Sequence, residues 1–308
     1  MRYNHTLSGA ELKQWKRWAY QLAKENEVDA SEVDWLLQGL TTLTSLALRL
    51  DLYQKETTIS SRVSVQQLTE KWHQRIDKRI PVQYLTEETP WRNFSLSVSP
   101  DVLIPRPETE LIINIAADLL ASNPLIVHGN PKQQNEDHWA DLGTGSGAIA
   151  LGLAHQFPTA TIHAIDISTD ALKIAQHNAT QNHLANNIRF YQGNWLTPLS
   201  KLKAKLTGIV SNPPYIPSQT VLTLQPEVTN HEPHLALDGG SDGLDCIKTL
   251  IANSPAYLHP GGLWLTELMQ GQAPTVAQLL LEQGNYTHIH IHPDLAGIHR
   301  FVSARRTL

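Results

Sequence analysis

The tetrapeptide Asn212-Pro213-Pro214-Tyr215 carries the densest chemistry in this sequence. It follows Gly208-Ile209-Val210-Ser211, an apolar run that reads as a buried strand. Two consecutive prolines donate no ladder hydrogen bonds, so the strand must stop there. The stop leaves one amide side chain, two carbonyls and an aromatic ring at the carboxyl end of a strand. Open α/β sheets bind ligands there. The set suits a flat group carrying an NH2: the Asn212 side-chain oxygen accepts one hydrogen and the Pro213 carbonyl accepts the other. Tyr215 stacks on the plane. Asn and Pro are also ordinary turn residues, and the motif in isolation reads equally as a strand-ending turn.

A second half-site lies upstream. Trp139-Ala140-Asp141-Leu142 reads as a short strand, Gly143-Thr144-Gly145-Ser146-Gly147 as a turn, and Ala148 to Ala154 as a buried helix. Glycines permit a tight turn and let a ligand lie against backbone N–H groups at a helix start. About 20 residues further on, the strand Thr161 to Ile165 ends in Asp166, an acceptor for both hydroxyls of a ribose. Gly143, Gly145 and Ala148 also satisfy the dinucleotide pattern of hydride-transfer enzymes, so the loop alone leaves that class open. Asp141 weighs against it, because a carboxylate there repels a pyrophosphate and attracts an ammonium group. Hydride transfer also has no evident use for Asn212 to Tyr215.

Together the two motifs, over roughly residues 139–215, resemble class I S-adenosylmethionine-dependent methyltransferases that act on planar nitrogen. Adenine, cytosine and the glutamine side chain all present such a group. Other segments resemble one family more narrowly. Val102-Leu103-Ile104-Pro105-Arg106-Pro107-Glu108-Thr109-Glu110 looks like the signature that precedes the catalytic domain in the HemK/PrmC family of peptide chain release factor glutamine methyltransferases. Arg79 to Leu85 looks like that family's junction segment, and Glu232 to Leu237 with Asp242-Gly243-Leu244 like its post-catalytic loop. Asp294, Gly297 and Arg300 sit as in its final hairpin. One departure stands out: Glu267-Leu268-Met269 replaces the usual Glu-x-Gly, which puts the local turn in question.

The resemblance implies S-adenosyl-L-methionine as cofactor and the glutamine of the release-factor GGQ motif as acceptor, in support of translation termination. It implies a cofactor site of Asp141, Gly143 to Gly147, Asp166, Trp195 and Asn212. It implies catalytic and acceptor-binding roles for Asn212, Pro213, Pro214 and Tyr215. It sets Trp195, after Gly193-Asn194, beside the adenine, and Arg106, stiffened by a proline on either side, near the cofactor pocket as a substrate contact. A glutamine in a ribosomal protein, an amino group of a nucleic-acid base, and a non-catalytic S-adenosylmethionine-binding scaffold stand as alternatives.

Helices and strands must hold these residues. From about residue 101 onward, strand and helix patterns alternate, which predicts a parallel sheet wrapped by helices. The expected fold is a Rossmann-like, mostly parallel seven-stranded sheet. Strand candidates His288 to His292 and Arg300 to Ala304 are close enough for an antiparallel last hairpin. Residues 1–83 read as a small all-helical domain that recognises substrate by family resemblance. Its stripes are Leu12, Trp15, Ala19 and Leu22; Leu36, Leu37, Leu40 and Leu43 after a capping-type start at Ser31; and Val65, Leu68, Trp72 and Ile76. Residues 84–100 read as a linker or short hairpin, 101–308 as the methyltransferase domain, and 123–138 as an exposed polar loop.

Bulk properties narrow the classes. The 308 residues suffice for one large domain and a small one. A single cysteine, Cys246, permits no intrachain disulfide and reads as a small buried residue in a reducing compartment. No apolar run of about 18 residues and no signal pattern is present, so no membrane partner and a cytoplasmic location are expected. A net charge of −5 gives no global basic footprint, so no direct nucleic-acid partner is expected. His288, His290 and His292 alternate on one strand face, but no cysteine or acidic cluster completes a ligand set; they read as exposed strand residues and no metal is expected. Glu108 and Glu110 read as a helix first turn, where acids suit the dipole.

Overall fold

A computed structural model describes residues 3–121 and 137–308. By its internal contacts the chain divides into two units, 1–89 together with 225–231, and 90–224 together with 232–308.

In the first unit, helix α1 (Gly9–Glu25) begins at a capping box in which Ser8 and Glu11 satisfy each other's backbone N–H groups. Helices α2 (Ser31–Leu40), α3 (Ser45–Arg49), α4 (Val65–Lys78) and α5 (Val82–Thr86) follow. The expected stripes pack into one core, with Leu12, Trp15, Leu36, Leu40, Leu68 and Trp72 all buried. The Trp72 indole donates to the Ala19 carbonyl at 3.2 Å, which fixes α4 against α1. Ser31 is not the cap of α2. Asp29 accepts its amide at 2.8 Å, so the carboxylate two residues upstream does the work expected of the hydroxyl. An antiparallel pair, β1 (His5–Leu7) and β2 (Ile59–Ser61), adds strand structure that three-residue segments cannot signal through periodicity. Buried Arg75 is neutralised by Glu32 and by Glu227, which also pairs with Arg79 at 3.0 Å. A buried charge without such partners is strongly destabilising.

Residues 88–97 form a hairpin, β3 (Glu88–Trp91) with β4 (Phe94–Ser97). The second unit continues with α6 (Leu111–Ala121), β5 (His138–Leu142), α7 (Ala148–Gln156), β6 (Thr161–Asp166), α8 (Thr169–Gln181), β7 (Ile188–Gln192) and β8 (Leu206–Ser211). It ends with α9 (Asp245–Asn253), β9 (Leu258–Glu267), α10 (Ala273–Gln283), β10 (Tyr286–Pro293) and β11 (His299–Arg306). The strands form a seven-stranded sheet ordered β7-β6-β5-β8-β9-β11-β10. It is parallel except for β11, which runs antiparallel to both β9 and β10. The expected fold is therefore present, last hairpin included.

Alternate strand residues face opposite helical layers. Trp139, Val210 and Leu265 join the core beneath α6 and α7, while Ala140, Ile209 and Trp264 join the one beneath α9 and α10. The polar stretch 123–138 lies outside the described residues except for its end, where His138 already belongs to β5. The alternation of His288, His290 and His292 does not survive, because β10 shifts register between Thr287 and His290 and His288 takes φ +50°. His292 is half-buried and pairs with the Ser303 hydroxyl at 2.8 Å. No metal-binding cluster occurs among the described residues. No helix among them is long and apolar enough to cross a membrane.

Candidate active site

The sheet reverses its winding direction between β5 and β8, and this switch point is where a ligand crevice forms in open α/β folds. Leu142 pairs with Ser211 at the ends of these strands, so the glycine loop and the Asn212 segment leave the sheet side by side. The loop folds because Gly143, Gly145 and Gly147 all take positive φ. A side chain at Gly143 would be strained at φ +75°, and its Cβ would lie in ordinary contact with the Trp195 ring at 3.5 Å. At Gly147 it would meet Ala175 at 3.1 Å, so α7 and α8 approach closely only because no Cβ is there.

A cavity of about 300 Å³ opens at this point. Gly143, Gly145, Asp166, Trp195, Asn212 and Pro214 line it. Asp101 and Asp238 also line it, and among the described residues no lysine, arginine or histidine does. Three carboxylates without a cation disfavour a pyrophosphate and favour a positively charged ligand. This wall weighs against the dinucleotide reading of the glycine loop. Apolar Leu103, Ile165, Ile167 and Leu235 supply surface for a flat ring.

Asp166 ends β6 on the cavity wall. One carboxylate oxygen accepts the Gly145 amide at 2.9 Å and the other the Ser168 amide at 2.9 Å. Each oxygen keeps a lone pair for a ligand hydroxyl. Burial pushes this carboxyl above its usual range, and the three backbone amides of Ser168, Gly145 and Ile167 pull against that. Asp141 is fully buried and is not part of the wall. Its Oδ2 accepts the Thr144 hydroxyl at 2.6 Å, and Oδ1 has no partner of good geometry among the described residues. Burial pushes its pKa up to about 7, against the pull of Thr144 and of the nearby Ala150 amide. Thr144 and Ser146 are likewise buried beneath the loop. These residues shape the loop from behind, whereas Gly143 and Gly145 meet the cavity.

Past Ser211 the four residues of the tetrapeptide separate. Asn212 and Pro214 reach the cavity; Pro213 is buried and Tyr215 half-buried, and neither lines it. Asn212 Nδ2 donates to Thr109 Oγ1 at 3.3 Å, and its Oδ1 has no protein donor among the described residues. The Pro213 carbonyl has none either. The Tyr215 hydroxyl donates to Glu267 Oε1 at 3.2 Å. Arg106 does not line the cavity. Its guanidinium binds buried Glu232 at 2.8 Å, tying the segment before α6 to the loop whose next residue, Pro233, does line it. Glu108 and Glu110 lie in the 3-10 turn that leads into α6. Cys246 is half-buried and touches the cavity. Met269 causes no distortion: Gly271, at φ +92°, takes the left-handed position of the turn, and Gln272 accepts the Met269 amide at 3.0 Å.

S-adenosylmethionine fits this donor set. The wall offers an acidic acceptor for a diol, apolar surface beside Trp195 for a purine, and carboxylates for a sulfonium and an ammonium group. Thr109 and Glu267 fall within segments that resemble the family's motifs, but sequence patterns assigned neither a site role; their hydroxyl and carboxyl lie beside the Asn212 segment.

Comparisons with known proteins bear on family and fold. The family model described as "Methyltransferase small domain" matches residues 116–239. A release factor glutamine methyltransferase of Synechocystis sp. is 50% identical over 301 residues, 97% of this chain and 97% of that one. One from Thermosynechococcus vestitus is 42% identical over 301 residues, 97% of this chain and 99% of that one. Among solved structures, the hMettl16 catalytic domain in complex with MAT2A 3'UTR hairpin 6 shares the fold with a TM-score of 0.55 at 14% identity, over 88% of each chain. The fold is that of the class I methyltransferases, and, on identity sustained along almost the whole chain, this protein belongs to the release factor glutamine methyltransferase family.

Proposed function

We propose that this protein transfers a methyl group from S-adenosylmethionine to the side-chain amide nitrogen of the glutamine in the GGQ motif of peptide chain release factors. The observation that carries this reading is the pairing of two free oxygens with an acid-lined cavity at adjacent strand ends. Asn212 Oδ1 and the Pro213 carbonyl have no protein donors among the described residues, and Asn212 itself lines the cavity.

Bound at this cavity, the cofactor supplies a methyl group on positively charged sulfur. An amide nitrogen is a poor nucleophile, because its lone pair is delocalised into the carbonyl. Asn212 Oδ1 and the Pro213 carbonyl each accept one N–H of the target. They favour pyramidal nitrogen and stabilise the positive charge that grows on it. Holding both reactants in one pocket supplies another large share of the rate. As the nitrogen takes the methyl group the methyl–sulfur bond would break, with neutral S-adenosylhomocysteine as the leaving group; the methylated nitrogen is strongly acidic and gives its proton to water, so no strong general base is needed. Asp166 holds the ribose, Trp195 flanks the adenine, and Tyr215 stiffens the acceptor cradle. Arg106 and Glu232 hold the loop at the cavity mouth. The helical unit, 1–83 with the junction that follows it, recognises the protein substrate.

Purified protein with labelled S-adenosylmethionine, offered separately a release factor, ribosomal proteins and DNA, should add one methyl group to the GGQ peptide, read by mass. Labelling of a ribosomal protein or of DNA in its place would reassign the acceptor. Cofactor binding without transfer to any of them would favour a scaffold.

A further inference from the structure

Glu267 ends β9 and is 1% exposed. Its Oε1 accepts the Tyr215 hydroxyl at 3.2 Å. The buried Thr109 hydroxyl lies beside the same carboxyl and helps to hold its pKa down, though no hydrogen bond of good geometry joins the two. Oε2 has no partner of good geometry among the described residues. Thr109 Oγ1 in turn accepts Asn212 Nδ2. A hydroxyl has one hydrogen to give, and an ionised carboxylate only accepts. The carboxylate is therefore the neighbouring acceptor for the hydrogen of Thr109, whose oxygen is left to accept from Asn212. Only the NH2 end of the Asn212 carboxamide satisfies that oxygen, so Oδ1 is turned the other way. Without the carboxylate, Thr109 is free to donate to Oδ1. The carboxamide then reverses and meets the target NH2 donor against donor.

We propose that Glu267 is a positioning residue for methyl transfer: acting through Thr109 and Tyr215, it holds Asn212 with its oxygen, not its nitrogen, toward the acceptor amide. The proposal rests on the reading that Asn212 receives the target N–H. Desolvation raises the Glu267 pKa to about 7; Thr109, Tyr215 and Arg300 hold it down, and Glu108 adds to the rise. Protonated Glu267 has a hydrogen of its own and no longer enforces the direction of the chain.

The test uses the full-length protein, a release factor as acceptor and S-adenosylhomocysteine as the binding probe. Thr109→Val keeps the side-chain shape and removes the relay. It should lower kcat about 10²-fold, the scale of a misplaced reactant. Affinity for S-adenosylhomocysteine by calorimetry should stay within about threefold. Thr109→Ser should recover most of the lost kcat. Wild-type kcat should fall as pH drops below about 7, and Thr109→Val should lose that limb. Glu267→Gln serves as the second variant should Thr109→Val unfold, with the same loss of kcat and of the acidic limb. Wild-type kcat and pH profile in either folded variant would overturn the proposal alone. A wild-type enzyme that transfers nothing to a release factor would overturn both this proposal and the function on which it rests.

Discussion

The Ser211 hydroxyl donates to the Leu142 carbonyl at 2.6 Å, bridging β8 to β5 where both strands end. One strand further, the Thr266 hydroxyl donates to the Ser211 carbonyl at 3.2 Å. Pro213 and Pro214 bring no N–H to this end of the ladder, and side-chain hydroxyls serve the carbonyls instead. Ser211→Ala leaves a buried acceptor without this donor, at a cost of about 1–2 kcal/mol. For a domain of this size that lowers Tm by roughly 2–8 °C. An unchanged melting curve would show that the bridge contributes nothing to stability.

Asn212→Ala separates binding from chemistry. The substitution removes an acceptor and leaves the glycine loop and Asp166 intact. S-adenosylhomocysteine affinity should stay close to wild type while transfer to the release factor falls by about 10²-fold or more, the scale seen when a transition-state hydrogen bond is lost. Unchanged single-turnover transfer would remove Asn212 from the reaction.

The parts of this site that were legible in the sequence are those built from neighbouring residues. Glycines after Leu142, consecutive prolines after Ser211 and a carboxylate at the end of the β6 run each announce a local backbone event. The sheet topology then brings the three together at one rim. Thr109 and Glu267 stood within family-like motifs, but their roles were illegible because they come from partners 103 and 52 residues away, Asn212 and Tyr215. Asp141 shows the converse. Its position was read correctly as a strand end, but strand pleating turned its side chain away from the cavity and into the interior. The histidines of β10 were read as exposed strand residues, and His288 and His290 are exposed; only their common strand face was wrong, because a register shift between Thr287 and His290 breaks the period-2 pattern.

Asp166→Ala tests the cofactor wall. Its carboxylate holds the Gly145 and Ser168 amides as well as facing the cavity. The variant should weaken S-adenosylhomocysteine binding by at least about 10-fold, since both a ligand acceptor and an anchor of the loop are lost. Asp166→Asn keeps one acceptor oxygen and should fall between. Calorimetry returning wild-type affinity for Asp166→Ala would refute its assignment to the ribose.

The pH dependence of stability carries an opposed pair of contributions. His163 is buried between His138 and Tyr191, with ring nitrogens 3.1 Å from each, and burial, with the nearby charges of His138 and Arg189, lowers its pKa from 6.5 to about 4. Between those values the unfolded chain binds the proton and the folded chain does not. Stability from this residue is present above pH 6.5 and is lost as pH falls toward 4, by about 3 kcal/mol at most. Asp141 and Glu267 act the other way. Their folded pKa values, raised to about 7, make the folded chain the better proton binder from there down to the ordinary carboxylate range, so they stabilise as pH falls through 7. The wild-type profile is the sum, and His163→Gln isolates one part of it. Urea unfolding at pH 7 and pH 5 should show the variant losing less stability, or gaining more, than the wild type over that interval. Parallel profiles would mean that His163 keeps an ordinary pKa in the folded chain.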